Sequence, residues 1–157
     1  MDKAEKLLNA AVERGITVSV AESCTGGLLG ARITSVSGSS EYFWGGVIVY
    51  SDTAKMKLLG VQKSTLEKFG AVSEQCAKEM ALNVRDTLGS DLAIAITGIA
   101  GPLGGTPEKP AGTVFIAAAL GKNVIARHFQ FSGDRESVRN QSAEATLDLA
   151  LELIEKV

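Results

Sequence analysis

A three-layer α/β sandwich on a mixed sheet is the fold class this sequence predicts, and three observations predict it. Stretches with helical apolar spacing alternate with short β-branched or wholly apolar runs along the whole chain. Leu92 to Thr97 is one such continuous run, as suits a strand covered on both faces. Late in the chain, two strand-like stretches are parted only by Gly121-Lys122-Asn123, which makes an antiparallel hairpin and so a mixed sheet.

Residues 2 to 14 put Ala4, Leu7, Leu8, Ala11 and Val12 on one face and are followed by Gly15 as a C-cap, so a helix is expected there. A strand at 16 to 21 then runs into a tight turn. The next helix spans about 25 to 36, with Leu28, Leu29, Ile33 and Val36 at helical spacing. Ser37 to Ser40 is a loop by composition, and Gly46 to Tyr50 reads as the second strand. Ser51-Asp52-Thr53 offers N-caps for a short helix that Gly60 stops, and Ser64 to Glu67 is a capping box for another that ends at Gly70. Ser73 opens a helix over 74 to 88, with Cys76, Met80, Val84 and Leu88 near one stripe. After the strand at 92 to 97, the segment Thr97 to Pro110 holds four glycines and three prolines, and a loop of that length in a small domain is usually functional. Strands at 112 to 120 and 124 to 131 follow. A last helix, from about 134 to 156, buries Val138, Ala145, Leu149 and Ile154.

With 157 residues, 45% of them hydrophobic, the chain fits one domain over 1–157. A charged fraction of 22% and a net charge of -2 exclude a disordered chain, and without a Lys/Arg cluster no nucleic-acid partner is expected. The longest apolar run, Val114 to Leu120, is far shorter than the roughly 20 residues a membrane span needs, and the N-terminal pattern is amphipathic rather than a signal peptide. A cytoplasmic location without membrane contact is therefore expected. Cys24 and Cys76 have no CxxC spacing and read as free buried thiols. One histidine, His128, in an apolar strand, makes a zinc site unexpected, while a water-activating metal held by carboxylates stays open from composition alone.

The chemistry centres on the turn Glu22-Ser23-Cys24-Thr25-Gly26-Gly27. A hydroxyl there lies at the carboxyl end of a strand, beside the N–H groups of a helix start that can hold an oxyanion or a phosphate. The turn is neither GxSxG nor a Walker A loop, and the same residues suit a second reading in which Ser23 and Thr25 cap the helix. A serine nucleophile needs a base. With His128 placed in a strand, attention goes to a lysine kept neutral by burial, and Lys55 and Lys57 follow a strand end. Ser132-Gly133-Asp134-Arg135 offers a phosphate site with Arg135 as a fixed fork, or alternatively an Asp134 cap with Arg135 in solvent. Tyr42-Phe43-Trp44 reads as an exposed aromatic cluster, hence a subunit contact or a pocket wall.

Five motifs in order give the chain a family resemblance: Ala21 to Gly27; Tyr50 to Lys55 with Leu59-Gly60-Val61; Gly70 to Ser73; Thr97 to Pro102 with Gly104-Gly105-Thr106 and Lys109 to Thr113; and Phe131 to Arg135. Over nearly its whole length the sequence resembles the nicotinamide mononucleotide amidohydrolase family, also called the CinA C-terminal domain family. It departs from the common pattern at Ala111, where valine is more usual, and at Asp52-Thr53, where Asn-Glu is common.

The resemblance implies hydrolysis of the carboxamide of nicotinamide mononucleotide to nicotinic acid mononucleotide and ammonia, in pyridine nucleotide salvage, without metal or cofactor. It implies Ser23 as nucleophile and Lys55 as its partner, with Tyr50 polarising the pair. Backbone N–H groups of Cys24, Thr25 and Gly26 are expected to hold the oxyanion, Thr97, Gly98, Gly101 and Gly105 to shape a nucleotide pocket, and Arg135 to meet the phosphate. The expected partner is a small nucleotide, and a homo-oligomer is expected. The separate N-terminal domain of larger CinA proteins, linked to ADP-ribose pyrophosphatase activity, is expected to be absent. The rival reading is a non-catalytic mononucleotide-binding or regulatory module, which has no need of a hydroxyl and a lysine at two strand ends.

Overall fold

The computed structural model describes residues 1–157. Five strands, β1 (Val18–Glu22), β2 (Phe43–Ile48), β3 (Leu92–Gly98), β4 (Thr113–Leu120) and β5 (Asn123–Gln130), form one sheet in the order β2-β1-β3-β4-β5. β1 pairs parallel with β2 and β3, whereas β3–β4 and β4–β5 are antiparallel, so the sheet is mixed. Helices α1 (Lys3–Arg14), α2 (Leu28–Thr34) and α6 (Arg135–Glu155) cover one face; α3 (Asp52–Leu59), α4 (Lys63–Phe69) and α5 (Glu74–Leu88) lie on the other. This is the three-layer α/β/α sandwich expected from the sequence.

Strand alternation explains how the two faces differ. On one face β1, β3 and β4 present Val18, Val20, Leu92, Ile94, Ile96, Val114 and Ile116 to α1, α2 and α6. On the other face the same strands present Ala21, Ala93, Ala95, Ala117 and Ala119. Small residues let α5 lie close to the sheet, where Cys76, Ala77, Met80, Ala81 and Val84 are all fully buried. Arg32 on α2 reaches both Asp2 and Glu144, tying the first layer together at its surface.

Several boundaries differ from the sequence reading, each for a tertiary reason. The second strand begins at Phe43, not Gly46, because β1 pairs with it as far back as Val18↔Phe43, with a bulge that places Trp44 outside the register. The aromatic cluster is accordingly split: Tyr42 is 1% exposed and Trp44 55%. The helix expected over 25 to 36 is shortened to Leu28–Thr34, since Gly26 and Gly27 have φ of 57° and 108° and form the turn itself. Ser64 is not an N-cap. Gln62 holds that position, and no side chain caps α4. In contrast, Ser51, Ser73 and Asp134 accept N–H bonds from Ala54, Cys76 and Ser137 and cap α3, α5 and α6.

At Gly46 any Cβ would meet the carbonyl oxygen and Cγ2 of Val20, so β2 can approach β1 only without a side chain there. Gly46→Ala is expected to lower stability by about 2 kcal/mol, read as a lower urea midpoint. Gly60→Ala, at φ 63° with open space around the site, should cost about 1 kcal/mol from backbone strain alone. Equal losses at the two sites would refute the steric account of Gly46.

Candidate active site

From β1 the chain turns into α2 and then β2 on one side, while β3 pairs on the other, so the carboxyl end of β1 is a topological switch point. A crevice opens at such a point. Ser23 is the first residue beyond β1, and its N–H donates to Ile96 O at 3.0 Å, which holds the hydroxyl at that edge. Val49 N–H donates to Glu22 O at 2.8 Å from the opposite side.

Lys55 reaches the same point from α3. Ser51 sets the first turn of that helix, and Gly60, in left-handed conformation, ends it, so that Lys55 and Leu59 face inward. The Lys55 Nζ donates to Ser23 Oγ at 3.1 Å and to Tyr50 O at 3.0 Å. Lys55 is 1% exposed and Ser23 6%. Burial pushes the amine below the ordinary lysine value, opposed by the nearby Cys76, Asp52 and Cys24. Lys57, the other lysine considered, has its side chain on an exposed part of α3. The Cys24 and Cys76 thiols are pushed up to about 11 by burial, so both stay protonated at neutral pH. The hydroxyl activated by the amine is therefore the stronger nucleophile candidate than the adjacent thiol.

A cleft of about 250 Å³ opens over this pair. Ser23, Cys24, Tyr50, Lys55, Thr97, Gly98, Gly101 and Arg135, all expected from sequence, line it. Thr25, Gly26 and Gly105 do not. Thr25 is wholly buried with a hydroxyl that has no partner, and Gly26 N–H is committed to Ser23 O at 3.1 Å. A Cβ on Gly105 would press on the Ala111 nitrogen at 2.6 Å, so this glycine shapes the loop rather than the cleft wall. Tyr50 contributes in two ways. Its carbonyl meets Lys55, whereas its hydroxyl accepts from Arg135 Nη2 at 3.0 Å and makes no hydrogen bond to Ser23 or Lys55. Arg135 also donates to Gly101 O at 2.9 Å, spanning the mouth while Asp134 caps the helix. The Thr97 hydroxyl donates to Ala71 O at 2.9 Å and fixes the segment before α5.

Sequence reasoning missed Glu22 and Arg139. The Glu22 carboxylate, 2% exposed, accepts from the N–H groups of Gly27, Leu29 and Gly30 at 3.2, 2.9 and 3.0 Å. It therefore caps α2 in place of Ser23 or Thr25, and the start of α2 is filled before any ligand arrives. A strand residue reaching forward by five to eight positions leaves no periodic trace. Arg139 had a usable signal, since it stands four residues after Arg135 and so on the same face of α6. It donates from Nε to Cys24 O at 3.3 Å and from Nη2 to Thr25 O at 2.8 Å. No group of three or more histidine, cysteine or carboxylate side chains is placed to hold a metal ion, and no helix is long and apolar enough to cross a membrane.

Comparison with known proteins agrees with this architecture. The chain is 48% identical over 144 residues to a CinA-like protein of Kosmotoga olearia, covering 92% of this chain and 35% of that protein. With a second such relative, from Syntrophomonas wolfei, the share of the relative is 32%, so the chain spans about a third of the length of these curated relatives. It is 53% identical over 140 residues to the nicotinamide-nucleotide amidohydrolase PncC of Enterobacter agglomerans, covering 88% of this chain and 85% of that one. A crystal structure of a CinA superfamily protein from Klebsiella pneumoniae superposes with a TM-score of 0.95 at 34% identity, covering 100% of both chains. With a model of the CinA C-terminal domain matching residues 1–154, this chain belongs to the CinA C-terminal domain family.

Proposed function

We propose that this chain hydrolyses the carboxamide of nicotinamide mononucleotide, releasing ammonia and nicotinic acid mononucleotide, as one amidohydrolase domain over residues 1–157. The observation that carries the proposal is the 3.1 Å contact between Ser23 Oγ and a buried Lys55 amine whose other partner is a carbonyl oxygen. A binding module needs no such pair. The relative named nicotinamide-nucleotide amidohydrolase supports the choice of substrate.

In this reading the neutral Lys55 amine takes the Ser23 hydroxyl proton as Oγ attacks the carboxamide carbon, and the carbonyl electron pair moves to oxygen. The free N–H groups next to Ser23 stabilise that oxyanion, at about 3 kcal/mol per donor. Collapse breaks the C–N bond, and the Lys55 ammonium gives its proton to the departing nitrogen. Water, deprotonated by the regenerated amine, then cleaves the acyl-enzyme. Arg135 at the cleft mouth meets the 5′-phosphate as a fixed fork. The reaction belongs to cytoplasmic pyridine nucleotide salvage in this proposal. In this reading self-association would use the open edge of β2, where Trp44 and Ile48 are 55% and 52% exposed.

Mixing the protein with nicotinamide mononucleotide should release ammonia; nucleotide binding without release would favour the non-catalytic module instead. Ser23→Ala should abolish release while changing stability by no more than about 1 kcal/mol, because Lys55 keeps its bond to Tyr50 O. Turnover within tenfold of wild type would remove Ser23 as nucleophile.

The base assignment fixes a pH dependence. Only the deprotonated amine accepts a proton, so kcat/KM should rise with pH, and burial places that rise below the ordinary lysine value of about 10.4. Arginine cannot deprotonate, so Lys55→Arg and Lys55→Met should both lose roughly 10²-fold or more in kcat. A Lys55→Arg variant that kept most of the rate would show the lysine to be holding charge only.

For Arg135, the unphosphorylated riboside should be a far poorer substrate, and Arg135→Ala should erase most of the preference. Equal kcat/KM for nucleotide and riboside in the wild type would end this assignment.

A further inference from the structure

Three peptide units follow Ser23, and the carbonyl oxygen of each is pinned. Ser23 O accepts from Gly26 N–H at 3.1 Å, Cys24 O from Arg139 Nε at 3.3 Å, and Thr25 O from both Arg139 Nη2 at 2.8 Å and Leu28 N–H at 3.0 Å. In a trans peptide the N–H points opposite to the carbonyl of the same unit. Pinning Ser23 O therefore aims the Cys24 N–H, and pinning Cys24 O aims the Thr25 N–H. These two are the N–H groups of the turn that donate to no protein acceptor, since Gly26, Gly27, Leu28, Leu29 and Gly30 are all committed. Cys24 lines the cleft beside Ser23.

We infer that Arg139 is a positioning residue: reaching in from α6, its guanidinium holds the Cys24 and Thr25 carbonyls and so fixes the turn that presents the free Cys24 N–H to the oxygen of the substrate's carboxamide as charge builds on it. This role rests on the amidohydrolase reading above. Gly26, in left-handed conformation, packs with its Cα side toward Arg139 Nη2, where even an added Cβ would lie 3.7 Å away. The two carbonyls are the only hydrogen-bond partners of the Arg139 side chain, so the guanidinium is dedicated to this turn. A fork that fixes two adjacent carbonyls from behind leaves the opposite, donor side of the turn preorganised, which is the property that oxyanion stabilisation requires.

The test measures ammonia release, thermal unfolding and inhibitor affinity for wild type, Arg139→Met and Arg139→Lys. The inhibitor is the aldehyde analogue of the substrate, which adds to Ser23 and generates a tetrahedral oxyanion. Arg139→Met should lower kcat by roughly 10- to 100-fold, short of the roughly 10²- to 10³-fold cost of removing an oxyanion donor outright, with KM within about threefold. Aldehyde affinity should fall by the same factor as kcat/KM, whereas substrate affinity in a Ser23→Ala background should not change. Arg139→Lys keeps the charge but not the two-point fork and should recover little. Full recovery by Arg139→Lys, or a fall in substrate affinity that matches the fall in aldehyde affinity, would overturn the positioning role. If Arg139→Met does not fold, Arg139→Gln, which keeps one donor, gives the same comparison. A wild type that releases no ammonia overturns the amidohydrolase reading and this role together; an active wild type whose Arg139→Met variant keeps kcat overturns this role alone.

Discussion

The burial of one lysine amine is the constraint on which the cleft depends. A protonated lysine in an apolar interior is costly, and Lys55 has only a serine hydroxyl and a carbonyl oxygen as hydrogen-bond partners. That cost is tolerable only if the surroundings hold the side chain in place. They do so from several directions: Ser51 and Gly60 fix both ends of α3, Val61 N–H bonds back to Lys55 O at 3.1 Å, and α5 closes the layer with Cys76 and Met80. The environment that makes the lysine expensive to bury is also the one that pushes its amine below the ordinary lysine value.

The Ser23 turn is held by charged groups of opposite sign on its two flanks. Glu22 takes up the donors at the start of α2, and Arg139 takes up the carbonyls of Cys24 and Thr25. Neither touches the cleft. Their shared effect is to consume the polar backbone groups that would otherwise let the turn relax, leaving only those beside Ser23 free. The same logic explains the glycines. Gly26 and Gly27 supply positive φ where the turn requires it.

The asymmetry of the sheet faces serves the same end. Alanines on one face draw α5 close, which brings its neighbouring segment Gly70 to Ser73 against Thr97 at the strand ends. On the other face α6 packs over larger residues, and from it the long Arg139 side chain spans to the turn. Arg135 and Arg139, one helical turn apart, then divide the work between the cleft mouth and the back of the turn.

By itself the sequence determined the layer architecture, the mixed sheet and most helix ends, because apolar periodicity, capping residues and glycines act over a few residues and leave their spacing in the chain. It also marked Ser23, Arg135, the glycine-rich loop and the pair Lys55 and Lys57, because a short polar motif at a strand end is a local feature, whereas the choice of Lys55 came from the family resemblance. What only the tertiary structure decided was long-range and polar. The start of β2 was set by pairing with β1, the identity of the α2 cap by a strand carboxylate reaching forward, and the role of the Tyr50 carbonyl by where Lys55 comes to rest. Arg139 and the Ser23 turn are separated by more than a hundred residues, and hydrogen bonds over that distance have no signature in a one-dimensional pattern. Burial, which sets the Lys55 amine apart from every other lysine in the chain, exists only once both layers have closed over the sheet.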